Sequence, residues 1–513
     1  MERVARYLGC FRMSSTVPPS SRDFTKARLN GLGIALGSIV LGAMSLLAAP
    51  WQEWSVVVTI GALCLAGIAL TLGPNADPFS PWSMVFYSAA VGIGIRSVYV
   101  AEQGEAARSL FVLDSIGQEW VYPGLLLCLG LFLTGLAYRA SSGQVRRKFV
   151  VPSAFSPRPQ QVYLAVAIFS IIGLGGFLAY VDATTGFNFT LISGKRSTIE
   201  TSLVGVETSF QSYEHLRFVH FAAVAAFVVL LAFWTEPGQR WTPARRFAVG
   251  LTALNALSFP FFASQRSGFL AVPLMGFAIL HMRGRSISWI RLTAAGMAAV
   301  VTIGILTGFR STRAESVESA LTTITSPAAL DALILNRNFL DLSKTVHVIN
   351  SVGVQLEPAN GTTYLSYLYA PIPRAIWPGK PSIAPGPIIG REIYGLRRSG
   401  VPPGYYAEAY WNFGLLGLLI GSPILGWALR RGELAFRAGG NESIPGVCLY
   451  VVVVLQFGEL AVGAGLGPAV FGAASDVVML LALLFVANSL SAPIGRPVVL
   501  ARALGRREDF ATS

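Results

Sequence analysis

The sequence is poor in charged residues and in the residue types that form metal, redox and nucleotide sites. Only 13% of its 513 residues are charged, whereas an average soluble domain carries about 25%. Its four histidines are scattered, and it has no His-Glu-x-x-His, Cys-x-x-Cys, Walker A or strand-linked Gly-x-Gly-x-x-Gly motif. These absences argue against a soluble multidomain enzyme, an ATP-driven pump and a metalloenzyme with His or Cys ligands, and we expect no metal and no cofactor.

The four cysteines do not form the pattern of a disulfide framework. Cys10 lies in a basic N-terminal stretch, whereas Cys64, Cys128 and Cys448 lie inside apolar blocks. Cysteine in such surroundings behaves as a small apolar residue. We therefore interpret these three as buried core residues.

Apolar residues are abundant, at 53% of the chain with a mean hydropathy of +0.57. They occur in blocks of about 20 residues, the length of a membrane-spanning helix. We predict an all-α polytopic integral membrane protein with about 12 transmembrane helices. The predicted spans are Leu29–Ala49, Trp54–Leu72, Trp82–Val100, Val121–Tyr138, Val162–Val181, Leu216–Trp234, Phe247–Ala263, Gly268–Met282, Leu292–Phe309, Tyr405–Leu429, Ile444–Val462 and Ala469–Asn488.

The Lys and Arg residues indicate the direction in which the spans cross. With the N-terminus in the cytoplasm, 24 of them fall in cytoplasmic segments and 13 in external ones, as the positive-inside rule requires. The net charge of +13 is therefore explained by topology and does not indicate nucleic acid. We predict cytoplasmic tails at 1–28 and 490–513, spans 1 to 9 within 29–309, a large external loop at 310–404, and spans 10 to 12 within 405–489.

The predicted external loop is too long and too apolar to be a simple connection. Loops beyond about 15 residues are usually functional or disordered, and this one is rich in Leu, Ile, Tyr and Trp, which argues against disorder. Residues Ala328–Val352 read as a helix with an apolar side. The apolar and aromatic stretch Tyr364–Trp377 contains Pro371 and Pro373 and is followed by Pro378 and Pro381, so it cannot form a long helix. We expect short amphipathic helices that fold back over the external mouth of the bundle.

Three arginines lie at the predicted outer face. Arg266 is in the very short turn Ser264–Gly268, and Arg310 and Arg313 end the ninth span three residues apart, so both side chains can point the same way. A guanidinium near hydrocarbon depth is costly, at about 2.5 to 3.5 kcal/mol at a helix centre, and one way to offset this cost is an anion contact in the bundle interior. The alternative is an arginine that reaches lipid phosphates.

The run Pro373–Pro381 combines rigidity with two cations and an aromatic ring. Its prolines restrict the backbone on both sides of Arg374 and Lys380. Trp377 offers a flat face to a sugar or lipid. A rigid loop packed on the membrane surface is the structural alternative.

A carboxylate opens the tenth span. Glu408 and Asn412 are four residues apart and share a helical face, with Tyr410 between them. Glu408 could orient an arginine or act as a general base, or it could only stabilise packing. Lys195 and Arg196, after the fifth span, could contact an anion or could simply be solvated.

These motifs, taken in order, resemble those of the bacterial O-antigen and oligosaccharide repeat-unit polymerases (the Wzy type). The Ser264–Gly268 turn is similar to the Ser-Arg-Gly turn of that family, with Ser267 where Gly is commoner. The Pro373–Pro381 run is similar to its Pro-Arg-x-x-Trp-Pro-x-Lys-Pro element. The start of the tenth span resembles its acidic-aromatic-Asn-Phe-Gly sequence. The matched region covers roughly Phe247–Leu429, and the first six spans match only in character.

The resemblance implies a metal- and nucleotide-independent glycosyltransferase in the bacterial cytoplasmic (inner) membrane. Its substrates would be glycan repeat units on undecaprenyl diphosphate at the outer face, with undecaprenyl diphosphate as the leaving group. Possible partners are membrane lipid, a flippase and a chain-length regulator, and nucleic acid is not expected. The implied roles are as follows: Arg266, Arg310, Arg313, Arg374 and Glu408 are catalytic, and Lys380, Trp377, Tyr410, Asn412, Lys195 and Arg196 bind substrate.

Three other functions stay open from the sequence. A ligase that moves finished polymer to another acceptor uses the same chemistry. A lipid-linked oligosaccharide flippase usually carries repeated halves and short loops on both sides, and neither is visible here. A structural scaffold gives no reason for a rigid cationic loop.

Overall fold

A computed structural model describes most of the predicted spans and part of the predicted loop. The described residues are 30–48, 53–73, 76–96, 98–99, 118–141, 157–185, 187, 214–236, 239–262, 266–284, 294, 342–366, 368–369, 372, 376–377, 379, 385–395, 401–437, 443–454 and 465–490. Within these residues the regular structure is almost entirely helical, and an isolated β-bridge joins Val352 and Leu356.

The helices follow the apolar blocks of the sequence. In chain order they are α1 Gly31–Ala48, α2 Glu53–Leu72, α3 Pro81–Ala89, α4 Val121–Ala140, α5 Pro159–Thr185, α6 Glu214–Trp234, α7 Pro243–Phe262, α8 Arg266–Met282, α9 Leu342–Ser351, α10 Thr362–Leu365, α11 Pro385–Glu392, α12 Tyr405–Arg437, α13 Ile444–Leu449 and α14 Leu466–Ser489. α3 continues as the π-helical turn Ala90–Arg96, and α13 as Tyr450–Val454.

Six helices are long and apolar enough to cross a membrane, namely α1, α2, α4, α5, α12 and the part of α14 from Gly472 to Ser489. Shorter apolar helices lie at Phe218–Trp234, Gly268–Met282 and Ile444–Val453. The prediction of a helical membrane protein is confirmed at this level. The ninth predicted span, Leu292–Phe309, lies outside the described residues apart from Ala294.

The helices α2, α3, α4 and α12 share one apolar core. Trp82 is fully buried in it, donates from Nε1 to Thr71 Oγ1 at 2.8 Å, and stacks on Tyr138 with ring centroids 6.0 Å apart. Glycines let α4 and α12 approach closely, since a Cβ at Gly130 would lie 2.6 Å from Cδ1 of Tyr406. Small residues serve this purpose at helix contacts in membranes.

A second core surrounds α6. Every residue from Ala222 to Thr235 is buried, because α5, α7, α8, α13 and α14 pack around this helix. A helix that is apolar on all sides belongs in such a central position. His220, on the same helix, is also buried, and its ring nitrogens lie 3.4 Å from the carbonyl oxygen of Gly173 and 3.3 Å from that of Ala256.

α12 is a helical hairpin, which differs from the single span predicted at Tyr405–Leu429. Phe413 (φ −140°, ψ 18°) and Gly414 (φ 59°, ψ −146°) interrupt the helix, and the second conformation is essentially restricted to glycine. The Tyr405 hydroxyl donates to the carbonyl oxygen of Gly421 at 2.8 Å, although residues this far apart in a straight helix are separated by about 24 Å. The segment 405–412 therefore folds back on the start of the longer segment.

The short segment of this hairpin enters the bundle. Tyr406 packs at Gly130 and its hydroxyl donates to Thr134 Oγ1 at 2.9 Å. Gly130 lies about 14 Å along α4 from its first residue. The preceding backbone is buried as well, and the Val401 N–H donates to the carbonyl oxygen of Gly386 at 3.0 Å. Irregular backbone is tolerated inside a membrane protein where other parts of the protein surround it.

Contacts between helix termini define two ends of the bundle, which we name the Trp120 end and the Tyr138 end after the residues at the two ends of α4. At the Tyr138 end the Tyr138 hydroxyl donates to Glu433, and Arg430 pairs with the same carboxylate at 2.7 Å. Nine of the described arginines lie at this end or next to it, and Arg96 and Arg391 are described but do not belong to this group. The nine are Arg139, Arg158, Arg240, Arg245, Arg246, Arg283, Arg430, Arg431 and Arg437. This is the end that the sequence predicts to be cytoplasmic.

The described parts of the 310–404 segment pack at the Trp120 end. α9 covers the second half of the helix predicted over Ala328–Val352, and most of its residues are buried. Its Asn350 donates to the carbonyl oxygen of Glu119 at 3.3 Å, and His347 lies edge-on to Trp120. The segment is thus joined to the start of α4 by apolar and polar contacts.

Candidate functional site

The hairpin brings one carboxylate to the N-terminus of another helix. Glu408 is fully buried, and its Oε2 accepts the backbone N–H of Leu466, the first residue of α14, at 2.7 Å. A negative charge is favourable at this position because helix N-termini carry free N–H groups and positive partial charge. The other oxygen, Oε1, is buried and has no hydrogen-bond partner among the described residues.

Small residues leave the space that this carboxylate occupies. A Cβ at Gly465 would lie 2.5 Å from Glu408 Oε2 and 3.1 Å from Cγ of Pro385, which is closer than real Cβ contacts allow. Gly465 is the N-cap residue of α14, and Pro385 is the first residue of α11. The carboxylate therefore lies where three elements distant in sequence meet.

Asn412 ties the hairpin to the 310–404 segment. Its Nδ2 donates to Thr363 Oγ1 at 2.7 Å and to the carbonyl oxygen of Glu408 at 2.8 Å, and its Oδ1 accepts the N–H of Gly361 at 2.9 Å. Both amide hydrogens and the amide oxygen thus have protein partners, and the side chain is buried. A role for Asn412 in binding substrate stays a prediction, while its part in holding the site together is a structural fact.

The Thr363 hydroxyl completes a short polar chain. It accepts from Asn412 and lies near the Glu408 carboxylate. Gly361, at φ +85°, provides a turn that a side chain would strain. Trp411 adds a second connection, with its Nε1 donating to the carbonyl oxygen of Glu357 at 2.7 Å. The sequence offered no signal for Thr363, Gly361 or Leu466, because each contact joins residues about 50 positions apart.

Two predicted aromatic residues lie nearer the surface. Tyr410 is partly exposed, and its hydroxyl lies against that of Tyr122 on α4. Trp377 is 39% exposed and meets Tyr369 edge-on, with ring centroids 5.6 Å apart. Neither contacts Glu408 in the structure, and their roles in substrate binding stay predictions.

The predicted cations are not among the side chains that the structure describes. The backbone of Arg266 begins α8, but its side chain is outside the described set. Six other predicted site residues lie wholly outside the described residues: Arg310, Arg313, Arg374, Lys380, Lys195 and Arg196. Whether these cations share a site with Glu408 stays a prediction.

The arrangement can hold a proton acceptor in a dry environment. Among the described residues no group of three or more His, Cys, Asp and Glu residues could hold a metal ion. Buried polar atoms in native structures almost always have partners, and an ionisable group at membrane depth is a functional candidate by default. Glu408 Oε1 is an exception to the first rule among the described residues, and Glu408 lies in a helix long and apolar enough to cross a membrane, so this carboxylate is a candidate functional group.

Comparison of the chain with protein-family models, with curated proteins and with solved structures finds no match.

Proposed function

We propose that this protein is a polysaccharide polymerase of the cytoplasmic membrane. It joins oligosaccharide repeat units that are linked to undecaprenyl diphosphate, at the outer face of the membrane, with both of its termini in the cytoplasm. The observation that carries the proposal is the buried Glu408 carboxylate, with one oxygen held by Leu466 and the other without a hydrogen-bond partner among the described residues.

The position of this carboxylate suits a base for a membrane glycosyltransferase. It lies toward the Trp120 end, on the hairpin that Asn412 ties to the 310–404 segment. The resemblance of the sequence to repeat-unit polymerases rests partly on the same residues, since Glu408 and Asn412 belong to the third matched motif. Glu408 is thus a residue of the matched motif and also the buried carboxylate of the candidate site.

The proposed step transfers a glycan chain between two lipid-linked units. The bond from the anomeric carbon of the growing chain to its diphosphate breaks, and the diphosphate leaves with the electron pair. A hydroxyl of the next unit attacks that carbon and gives its proton to Glu408 Oε1. The leaving diphosphate needs cations rather than a proton, and Arg binds phosphate oxygens in a bidentate manner. Arg266, Arg310, Arg313 and Arg374 are the proposed cations.

The hydrogen bond from Leu466 suits this role. By accepting one N–H, Oε2 fixes the orientation of the carboxylate and leaves Oε1 as the basic atom. The carboxylate is fully covered in the structure, so substrate entry requires the neighbouring residues Gly465 and Pro385 to move aside. Such closure around the reacting group excludes water, which would otherwise hydrolyse the donor.

The test is polymer formation by purified protein with lipid-linked repeat units alone. Glu408→Gln keeps an oxygen that can accept the Leu466 N–H but cannot take a proton, so we expect polymer to fall by about 100-fold or more at unchanged protein level. Glu392→Gln is the matched control, because Glu392 is exposed and pairs only with its neighbour Arg391 among the described residues. A wild-type amount of polymer from Glu408→Gln would refute the assignment of Glu408 as the base. Absence of polymer from folded wild-type protein would refute the proposed function.

A further inference from the structure

The 310–404 segment and the adjoining Phe413 of α12 expose an apolar surface. It consists of Leu365, Leu368, Ile372, Ile376, Trp377 and Phe413, and we name it the Leu365–Trp377 patch. Leu368 is 79% exposed and Ile376 is 75% exposed. Large contiguous apolar surfaces of this kind mark contacts with protein or membrane.

The patch continues the outer surface of α12. The ring of Tyr364 lies 6.2 Å from that of Phe413, at the break of the hairpin. Beyond the break, Leu415, Leu416 and Leu419 are exposed on a helix that is long and apolar enough to cross a membrane. The apolar surface thus passes from the spanning helix onto the segment through Phe413.

Local contacts hold the patch together. The Leu368 N–H donates to the carbonyl oxygen of Leu365 at 3.0 Å, and that of Ile372 to Tyr369 at 3.1 Å. The edge-on contact between Tyr369 and Trp377 closes the far end. These turns satisfy some of the backbone N–H and C=O groups within the segment. Backbone groups in an apolar environment need such internal partners because no water is present to bond them.

The composition of the stretch fits lipid rather than water or a charged partner. From Gly361 to Trp377 the only charged residue in the sequence is Arg374, and the stretch has tyrosines at 364, 367 and 369 and ends at Trp377. Tyr and Trp are typical of the boundary between hydrocarbon and headgroups. Leaving Leu368 and Ile376 in water would cost about 25 cal/mol for each Å² of apolar area.

We propose that the Leu365–Trp377 patch is inserted into the membrane leaflet at the Trp120 end, with its apolar side chains among lipid acyl chains. The 310–404 segment is then anchored to the bilayer beside α12 as well as to α4. This inference does not depend on the reaction that the protein catalyses.

Site-directed spin labelling tests the insertion. Leu368→Cys and Ile376→Cys are labelled with a nitroxide in full-length protein whose four native cysteines are alanine, in lipid nanodiscs. Collision with oxygen, which concentrates in hydrocarbon, is compared with collision with a water-soluble nickel chelate. Val354→Cys is the matched control, since Val354 is 82% exposed on a turn outside the patch.

We expect the ratio of oxygen to nickel accessibility at positions 368 and 376 to exceed that at 354 several-fold. Equal ratios at all three positions would overturn the insertion. The unfolding temperature of each labelled protein must match that of the unlabelled parent. We expect such a match because these side chains are highly exposed, so a label replaces few packing contacts. A protein with an intact unfolding transition and nickel-accessible labels at 368 and 376 would refute the proposal.

Discussion

Asn412 stabilises the site through three hydrogen bonds made by one buried side chain. Asn412→Ala removes the acceptor of the Gly361 N–H and the donor to Thr363 Oγ1. An unsatisfied buried polar group costs about 1 to 3 kcal/mol, so we expect a clearly lowered unfolding temperature in detergent. Asn350→Ala removes an exposed amide that donates to Glu119 and should shift stability by less than about 0.5 kcal/mol. Equal shifts for the two variants would contradict the role of Asn412.

At the residue scale the sequence identified Glu408 and Asn412, but not their partners. Spacing along one helix is visible in the sequence, and the Asn412 amide does bond the backbone of Glu408. The contacts of Glu408 with Leu466 and of Asn412 with Gly361 depend on how distant segments pack. A hydropathy pattern carries no information on such pairings, and a single sequence offers no other source for them.

The break in α12 depends on one glycine. Gly414→Ala would force a Cβ into a backbone region that costs about 1 to 3 kcal/mol for other residues. We expect a lowered unfolding temperature together with loss of the proposed activity, because the orientation of Glu408 depends on the hairpin. Gly37→Ala is the comparison, since Gly37 lies in α1 with no atom near the new Cβ, and alanine there is stabilising by roughly 0.5 to 1 kcal/mol. A fully stable Gly414→Ala protein would argue against the hairpin.

The packing of α2 against α4 places two cysteines together, which the sequence did not predict. Cys64 Sγ lies 2.9 Å from Cys128 Sγ. A membrane-soluble oxidant such as iodine should take one electron from each thiol, so that both S–H bonds break, both protons are released, an S–S bond forms and the iodine is reduced to two iodide ions. After denaturation, the number of thiols that react with maleimide should then fall from four to two. In the Cys128→Ser variant all three remaining thiols should still react with maleimide after oxidation. If all four thiols of the parent protein still reacted after oxidation, the packing of Cys64 against Cys128 would be contradicted.

The hydropathy pattern predicted the positions of several helices well, but it did not predict the reversal of chain direction within α12. The apolar blocks predict α1, α2, α4 and α14 within a few residues, because length and apolar content are what a bilayer selects. Residues 405–429 read as one such block, since Gly414 interrupts the backbone without interrupting the hydropathy. The direction of the segment 405–412 was therefore invisible in the sequence.

On the scale of the whole molecule, the segments that the charge distribution predicts to be cytoplasmic lie at one end of the bundle, and the predicted external segment lies at the other. The contacts between helix ends put the described arginine-rich segments at the Tyr138 end and the 310–404 segment at the other.

The predicted orientation can be tested with a maleimide that does not cross membranes. Arg391→Cys, at a position 68% exposed, should be labelled from outside in a cysteine-free protein. Arg240→Cys, exposed near the Tyr138 end, should react only after the membrane is permeabilised, and the reverse pattern would refute the orientation.

The bond between Glu408 and Leu466 has a consequence for biogenesis. Chains are synthesised from the N-terminus and begin to fold in that order, so α4, with the groove at Gly130 that receives Tyr406, is in place before the hairpin emerges. The N–H that orients the carboxylate belongs to α14, the last described helix. A chain that ends after α12 would keep most of the membrane bundle and still lack the completed site, which makes the site one of the last features to form during synthesis.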